Sequence, residues 1–268
     1  FHVLYSRVTM SIFSRKKRDS ETVKLGAKLI TAAKPQSPVS EQFRTIRTNI
    51  KFMSVDRKIK SLAFTSANMT EGKSTVTANV AITYAQAGLN TLLIDSDLRR
   101  PTVHSTFEVD NSKGLTTILT SDKKEISLDN IVKPSGVENL SVLTSGPVPP
   151  NPSELIGSKR MRDLVDQLKD RYDMVVIDMP PVLEVSDTQE LAGYLDGVVL
   201  VVRQGVTQKP AIKRTVELLK IAKANILGYV MNDVSAKNGG YGYGYGYGYG
   251  YGYGYGQKKK HFWERLKK

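Results

Sequence analysis

Residues 61–75 read SLAFTSANMTEGKST, in which a short apolar run leads into a polar loop that ends in glycine, lysine and two hydroxyl residues. The apolar run predicts a buried strand, and the residues after Lys73 predict a helix. A loop in this position is typical of phosphate binding, because its backbone N–H groups and the helix N-terminus attract anionic oxygens. Lys73 would reach the β- and γ-phosphates, and the Ser74 hydroxyl would hold Mg²⁺. Ala67 departs from the usual pattern, which has glycine at that position.

The nucleotide-binding hypothesis extends over the whole loop. A chance match to the letters GKST is common, whereas a match between a strand and a helix is not. We therefore expect ATP and Mg²⁺ as cofactors. The predicted nucleotide contacts are Asn68, Met69, Thr70, Glu71, Gly72, Lys73, Ser74 and Thr75.

Three aspartates stand at the ends of two further apolar runs. Asp95 ends the run LLID, Asp97 follows it by two residues, and Asp178 ends the run MVVID. In an open parallel sheet ligands bind at the carboxyl ends of the strands, so we expect these carboxylates beside the loop, serving Mg²⁺ and a nucleophile's proton. The residues do not decide whether Asp95 or Asp97 is the base. The predicted catalytic groups are Lys73, Asp95 and Asp97, and the predicted metal ligands are Ser74, Asp97 and Asp178.

Strands and helices alternate from residue 61 onwards. The strands lack polar alternation, which indicates burial on both faces and hence an α/β fold, with a mainly parallel central sheet flanked by helices on both faces. The predicted strands are Ser61–Ser66, Thr91–Asp95, Leu140–Leu143, Met174–Asp178, Val198–Arg203 and Ile226–Asn232. The predicted helices are one from about Ser37, then Ser74–Ala87, Ser153–Leu168 with Ser153 as N-cap, Thr188–Leu195 and Lys209–Lys223.

Composition excludes several classes of function. The chain has no cysteine, which excludes a disulfide scaffold, a thiolate metal site and a cysteine nucleophile. The net charge of +13 is concentrated at the ends, with 14 Lys and Arg against 4 Asp and Glu in residues 1–60. The near-neutral charge of the central part of the chain argues against a nucleic-acid groove in the fold. The two basic ends suit an anionic membrane surface or are simply solvated tails. No segment reads as a membrane span or secretory signal, so we expect a cytoplasmic location.

The sequence divides into three parts. Residues 1–35 are predicted to be a flexible basic segment, and residues 36–236 a single P-loop domain. Residues 237–268 contain eight Tyr-Gly dipeptides followed by a short basic segment. Glycine at every second position costs too much conformational entropy for a stable helix or strand, so we predict that this tail is disordered.

The motifs together resemble those of the BY-kinases, the bacterial protein-tyrosine kinases of capsule and exopolysaccharide synthesis. The resemblance rests on the loop, on IDSDLRRP at 94–101 and on IDMPP at 177–181, and it is strengthened by EQFRTIR at 41–47, by GPVPPNPSEL at 146–155 and by the terminal tyrosines. It covers roughly residues 36–256 and implies the deviant Walker form of the P-loop NTPase fold. By this likeness the loop is Walker A, Asp95 and Asp97 are Walker A′, and Asp178 is Walker B. The departures are Met69 and Thr70, where the family has Pro and Gly or Ser, and the basic segment after the tyrosines.

The resemblance implies an ATP-dependent kinase that phosphorylates its own tail. It also implies that Glu41, Arg44 and Arg47 build a ring-shaped homo-oligomer. The alternative interpretation is that these residues form a solvated helix face with ion pairs between neighbouring turns. The implied partners are the tail of a transmembrane activator or polysaccharide co-polymerase, which would place the protein at the inner face of the cell membrane, and a cognate tyrosine phosphatase. The implied phosphoacceptors are Tyr241, Tyr243, Tyr245, Tyr247, Tyr249, Tyr251, Tyr253 and Tyr255.

Two other functions stay open at this point. One is a partition or division-site ATPase, but such proteins usually carry a second lysine five residues before the loop lysine, where this chain has Asn68. Eight tyrosines also have no explanation in such an ATPase. The other is a scaffold that binds ATP only in order to assemble.

Overall fold

The computed structural model describes residues 5–7, 26–53, 58–121, 127–185 and 188–234. Within these residues eight strands form one sheet in the order β1-β8-β7-β2-β6-β3-β5-β4. Neighbouring strands run parallel except β4, which is antiparallel to β5. The predicted mainly parallel sheet is confirmed. The strands are β1 (Tyr5–Arg7), β2 (Ser61–Ser66), β3 (Thr91–Asp95), β4 (Lys133–Pro134), β5 (Leu140–Leu143), β6 (Met174–Asp178), β7 (Gly197–Arg203) and β8 (Ile226–Asn232).

Helices cover both faces of the sheet. Side chains of β2 alternate between two apolar cores, with Leu62 and Phe64 in one core and Ala63 in the other. Ile46 packs into the first core and Val165 into the second, as the two-residue period of a strand requires. The helices are α1 (Ile30–Ala33), α2 (Pro38–Met53), α3 (Lys73–Gln86), α4 (Val103–Phe107), α5 (Leu115–Thr120), α6 (Pro152–Gly157), α7 (Lys159–Arg171), α8 (Thr188–Tyr194) and α9 (Lys209–Ile221), with a 3₁₀ turn at Leu128–Asn130.

The single helix predicted for residues 153–168 is wrong. The chain forms two helices, α6 and α7, because Ser158 adopts an extended conformation between them. The Ser158 hydroxyl accepts a hydrogen bond from the Met161 N–H at 3.2 Å, so Ser158 and not Ser153 is the N-cap of the longer helix.

The prediction that residues 1–35 form one flexible segment is also wrong for part of its length. Thr31 in α1 is fully buried, and its hydroxyl donates to the Asn79 side-chain oxygen at 2.8 Å. Strand β1 pairs in parallel with Tyr229–Met231 of β8. A run of three residues carries too little periodicity to predict a strand from sequence.

The chain divides into two units, Phe1–Ala236 and Lys237–Lys268. The second unit contains all eight tail tyrosines and lies outside the described residues. Along the part of the chain that the structure describes, none of the helices combines the length and hydropathy needed to cross a membrane.

Candidate active site

The loop between β2 and α3 lies at the carboxyl edge of the sheet. Gly72 precedes the first helical residue with φ of +89°, a left-handed conformation that favours glycine. A Cβ atom at this position would lie 2.0 Å from Nδ2 of Asn232, so any larger residue would have to displace the side chain that donates to the Glu71 carbonyl. The loop residues Asn68, Met69 and Thr70 are exposed, as a ligand-binding loop must be.

Lys73 joins the loop to two of the predicted aspartates. Its Nζ lies 3.0 Å from Asp97 Oδ2 and 3.2 Å from Asp178 Oδ1, and it is also 3.2 Å from the Ser74 hydroxyl. The lysine is only 8% exposed, so this cation and both anions are largely removed from water. The structure therefore brings together Lys73, Ser74, Asp97 and Asp178, which the sequence places up to 105 residues apart.

Burial controls the charge states of this cluster. Burial alone would lower the pKa of Lys73, but the attraction of Asp178, Asp97 and Asp95 outweighs it and raises that pKa above its ordinary value. Burial raises the pKa of Asp178, with the nearby Lys73 opposing the shift. Burial, followed by repulsion from Asp178, raises the pKa of Asp95 to about 7.

Asp95 and Asp97 have different surroundings. Asp95 is fully buried, and its Oδ2 accepts hydrogen bonds from the N–H groups of Thr102 and Val103, both at 2.9 Å. Its Oδ1 accepts the Asp97 N–H at 3.2 Å. Asp97 uses Oδ1 for the Arg100 N–H and turns Oδ2 towards Lys73. Asp95 thus fixes the backbone around Asp97, and the Asp97 carboxylate faces the loop lysine.

The donor set at this edge fits Mg²⁺. Oδ2 of Asp178 is buried and has no hydrogen-bond partner in the described part of the chain. Together with Asp97 and the Ser74 hydroxyl it offers the hard oxygen ligands that Mg²⁺ prefers. Within the described residues, no group of three or more His, Asp or Glu is arranged to hold a metal ion alone. Phosphate oxygens and water would complete the coordination, which is common for Mg²⁺.

Sequence reasoning missed a set of side chains that hold the loop. Arg203 Nη1 donates to the Thr70 carbonyl at 2.9 Å, and Asn232 Nδ2 donates to the Glu71 carbonyl at 3.1 Å. Glu184 accepts the Met69 N–H at 2.9 Å, and the buried Glu71 carboxylate accepts the Ala67 N–H at 3.0 Å. Arg203 and Asn232 end β7 and β8, which is the same strand-terminal signal that identified the three aspartates.

The residues predicted for an oligomer interface lie apart from this site, on α2. Arg44 pairs with Glu41 and also donates to the Pro35 carbonyl at 2.6 Å. Arg47 donates to the Thr83 carbonyl of α3, so it has an intramolecular role. The eight predicted phosphoacceptor tyrosines lie outside the described residues.

A parallel sheet with a lysine-containing loop at its carboxyl edge, and with aspartates from β3 and β6 around that lysine, defines the class of P-loop nucleotide-binding proteins. A family profile described as an AAA domain matches residues 59–225. The tyrosine-protein kinase YwqD of Bacillus subtilis is 47% identical over 218 residues, which covers 81% of this chain and 90% of that protein. The solved kinase domain of the Escherichia coli tyrosine kinase ETK is 30% identical, with a TM-score of 0.76, and covers 90% of this chain and 94% of that domain. The chain belongs to the bacterial tyrosine-protein kinases.

The fold is shared more widely than the activity. The septum site-determining protein MinD of Pyrococcus horikoshii superposes with a TM-score of 0.53 at 22% identity, over 65% of this chain and 70% of that chain. A likeness at that level shows the fold alone. The kinase hypothesis is thus supported over the alternative of a division-site ATPase.

Proposed function

We propose that this chain is an ATP-dependent tyrosine autokinase that phosphorylates the tyrosines of its own segment 241–255 and thereby regulates capsule or exopolysaccharide synthesis. The observation that carries the proposal is the buried contact of Lys73 with Asp97 and Asp178 at the phosphate loop. The lysine, together with a cation held by the carboxylates, would neutralise and orient a triphosphate while one carboxylate receives a proton.

Each residue of the cluster has a role in phosphoryl transfer. Lys73 turns from the carboxylates to the β- and γ-phosphates and stabilises the charge that develops during transfer. Asp178 and the Ser74 hydroxyl would hold Mg²⁺, which would supply positive charge to the transferring phosphoryl group and leave Asp97 free to act as a base. A tyrosine hydroxyl has a pKa of about 10 and is a poor nucleophile at neutral pH, so it needs a base.

Asp97 is better placed than Asp95 to accept the phenolic proton. The oxygens of Asp95 already accept three backbone N–H groups, and that side chain has no exposed surface. Asp97 presents Oδ2 to Lys73 and is 6% exposed. Asp95 then acts as the positioning residue that holds the Asp97 backbone.

The tail sequence suits repeated phosphorylation. We propose that the alternating glycines let several tyrosines reach an active site in the same or a neighbouring subunit. Each phosphate adds about −1.5 to −2 charges, so eight would add on the order of −12 to −16. That is comparable with the chain's net charge of +13. We infer that mutual repulsion among the phosphates, and their repulsion from the aspartates of the active site, expels the tail and loosens a homo-oligomer, provided that the tail docks before it is modified.

The partners of the proposed kinase are those that the resemblance to the BY-kinases implies. A membrane-embedded activator would bind through its cytoplasmic tail and place the kinase at the inner face of the membrane, where the basic ends of the chain suit anionic lipid. A tyrosine phosphatase would reset the modified tail. Glu41 and Arg44, which lie at the surface of α2, are available for a ring interface, whereas Arg47 would have to leave its contact with Thr83.

Incubation of the full chain with Mg-ATP, followed by detection of phosphotyrosine, tests the proposal. We expect phosphate on tail tyrosines, no phosphotyrosine with Lys73→Met, and none with a chain that ends at Lys237. The purified protein should be tested with and without the cytoplasmic tail of a candidate activator. Free phosphate without phosphotyrosine in both conditions would favour an ATPase, and absence of both products would favour the assembly scaffold.

A further inference from the structure

The phosphate loop contains a strained residue. Thr70 has φ of +63°, in the left-handed region that β-branched residues rarely adopt. Left-handed backbone costs L-residues free energy because Cβ approaches the following carbonyl oxygen. A relaxed Thr70 would turn the next peptide and change the direction of the loop's N–H groups. The surrounding structure must therefore hold this residue.

Two strand ends supply the restraint. Arg203, the last residue of β7, donates from Nη1 to the Thr70 carbonyl at 2.9 Å and from Nε to Asp233 Oδ2 at 3.2 Å. Asp233 directly follows β8 and is itself left-handed, with φ of +59°. Asn232 donates to the next loop carbonyl, that of Glu71, at 3.1 Å. These two hydrogen bonds fix the guanidinium of Arg203. The Arg203 side chain is only 12% exposed, so water competes little for them.

We propose that Arg203 is a positioning residue for nucleotide binding, which holds Thr70 in its left-handed conformation and so keeps the loop's N–H groups directed at the phosphates. It acts through the loop and not by touching the nucleotide. The proposal deepens the proposed function, because it rests on nucleotide binding at this loop. Without Arg203, only a fraction of the molecules would have the loop in the conformation that binds nucleotide. The apparent affinity for nucleotide would fall by that fraction.

Glycine at position 70 provides the decisive test, because glycine adopts positive φ without steric cost. ADP binding to the full chain is measured by isothermal titration calorimetry for wild type, Arg203→Gln, Thr70→Gly and the double variant. We expect Arg203→Gln to weaken ADP binding by about five- to thirtyfold, the equivalent of one left-handed residue. The ADP affinity of Thr70→Gly serves as the reference for the double variant, because Thr70 itself belongs to the predicted nucleotide-binding loop. Arg203→Gln should then cost less than about twofold in the Thr70→Gly background.

Two further variants sharpen the comparison. Arg171→Gln is the matched control, since Arg171 also pairs with an aspartate, Asp129, but is 46% exposed and belongs to α7. It should leave ADP affinity unchanged. Arg203→Lys keeps one donor and a charge, so it should lose less affinity than Arg203→Gln. If Arg203→Gln does not fold, the same suppression by Thr70→Gly is measured on Arg203→Lys.

The outcomes separate the proposal from its premise. An equal loss of affinity in the wild-type and Thr70→Gly backgrounds would show that Arg203 contacts the nucleotide directly and would overturn the proposal. Unchanged affinity in Arg203→Gln would overturn it as well. Failure of the wild-type chain to bind ADP would instead reject nucleotide binding at this loop, and with it the proposed function.

Discussion

At the carboxyl edge of the sheet Lys73 lies between Asp97 and Asp178, and at the amino edge Lys169 lies beside Asp196 at 3.0 Å. At the amino edge both carboxylate oxygens of Asp196 have hydrogen-bond partners. Asp196 Oδ2 accepts the N–H groups of Lys60 and Ser61 at 2.9 and 2.8 Å, while Oδ1 accepts Lys169 Nζ. The carboxyl-edge group has more buried acid than base, and Oδ2 of Asp178 has no partner among the described residues.

The carboxylates at the two edges of the sheet have different roles. A satisfied carboxylate that joins the start of β2 to the residue before β7 stabilises the fold. Buried carboxylates that lack sufficient partners destabilise the free protein and gain partners when a cation and phosphates bind. The same residue types therefore serve stability at one edge and binding at the other, and each prediction below compares the two.

The largest expected effect is on activity. Asp178→Asn should lower the initial rate of phosphotyrosine formation by at least ~10²-fold, because it removes charge at the phosphate loop. The matched change Asp196→Asn should leave that rate within about twofold when the protein is folded. A comparable loss of rate in both variants would mean that the two edges are not functionally distinct.

The same pair of variants should affect stability in the opposite order. Asp196→Asn should lower the free energy of unfolding by about 2 kcal/mol, since it weakens charge-assisted bonds to two N–H groups and to Lys169. Asp178→Asn should leave stability unchanged or raise it, because burial already disfavours the charged carboxyl, as its raised pKa shows. Urea denaturation measures both values. The comparison fails if Asp178→Asn proves the more destabilising change.

The pH dependence of the free energy of unfolding should identify how much the Asp196 carboxylate contributes to stability. Burial alone would raise the pKa of Asp196, but hydrogen bonds from Lys60, Lys169 and Ser61 outweigh it and hold that pKa below its ordinary value. A carboxyl whose pKa is lowered by folding stabilises the protein above its unfolded pKa of about 3.9, and this stabilisation is lost as pH falls through the folded pKa. The difference in unfolding free energy between wild type and Asp196→Asn should therefore shrink from pH 7 to about pH 3. A constant difference over that range would contradict the assignment.

The smallest expected effect is at the surface of α2. The Glu41 carboxylate that pairs with Arg44 is 65% exposed, so the ion pair is well screened by water. Glu41→Gln should change the free energy of unfolding by less than ~0.5 kcal/mol. Light scattering on the same variant tests the proposed ring, since loss of a larger species without loss of stability would indicate an interface. An unchanged mass would remove Glu41 from that interface.

Much of the site could be predicted because it lies on strong local patterns. The apolar runs in the 61–66, 91–95, 174–178, 198–203 and 226–232 segments are strands, as predicted, and their ends carry the loop and the aspartates. Arg203 and Asn232 were missed because strand-terminal polar residues are common, and only their contacts with Thr70 and Glu71 distinguish them. The break at Ser158 was missed because a serine inside an apolar helical pattern gives only a weak stop signal.

The sequence by itself determined the α/β architecture, the phosphate loop and the edge of the sheet at which the acids lie, because these follow from hydrophobic period and short-range motif order. Only the tertiary structure decided that Lys73 contacts Asp97 and Asp178, that Arg47 turns to Thr83, and that β7 and β8 hold the loop. Those contacts join residues far apart in the chain, and their distances depend on how strands and helices pack, which no local pattern encodes.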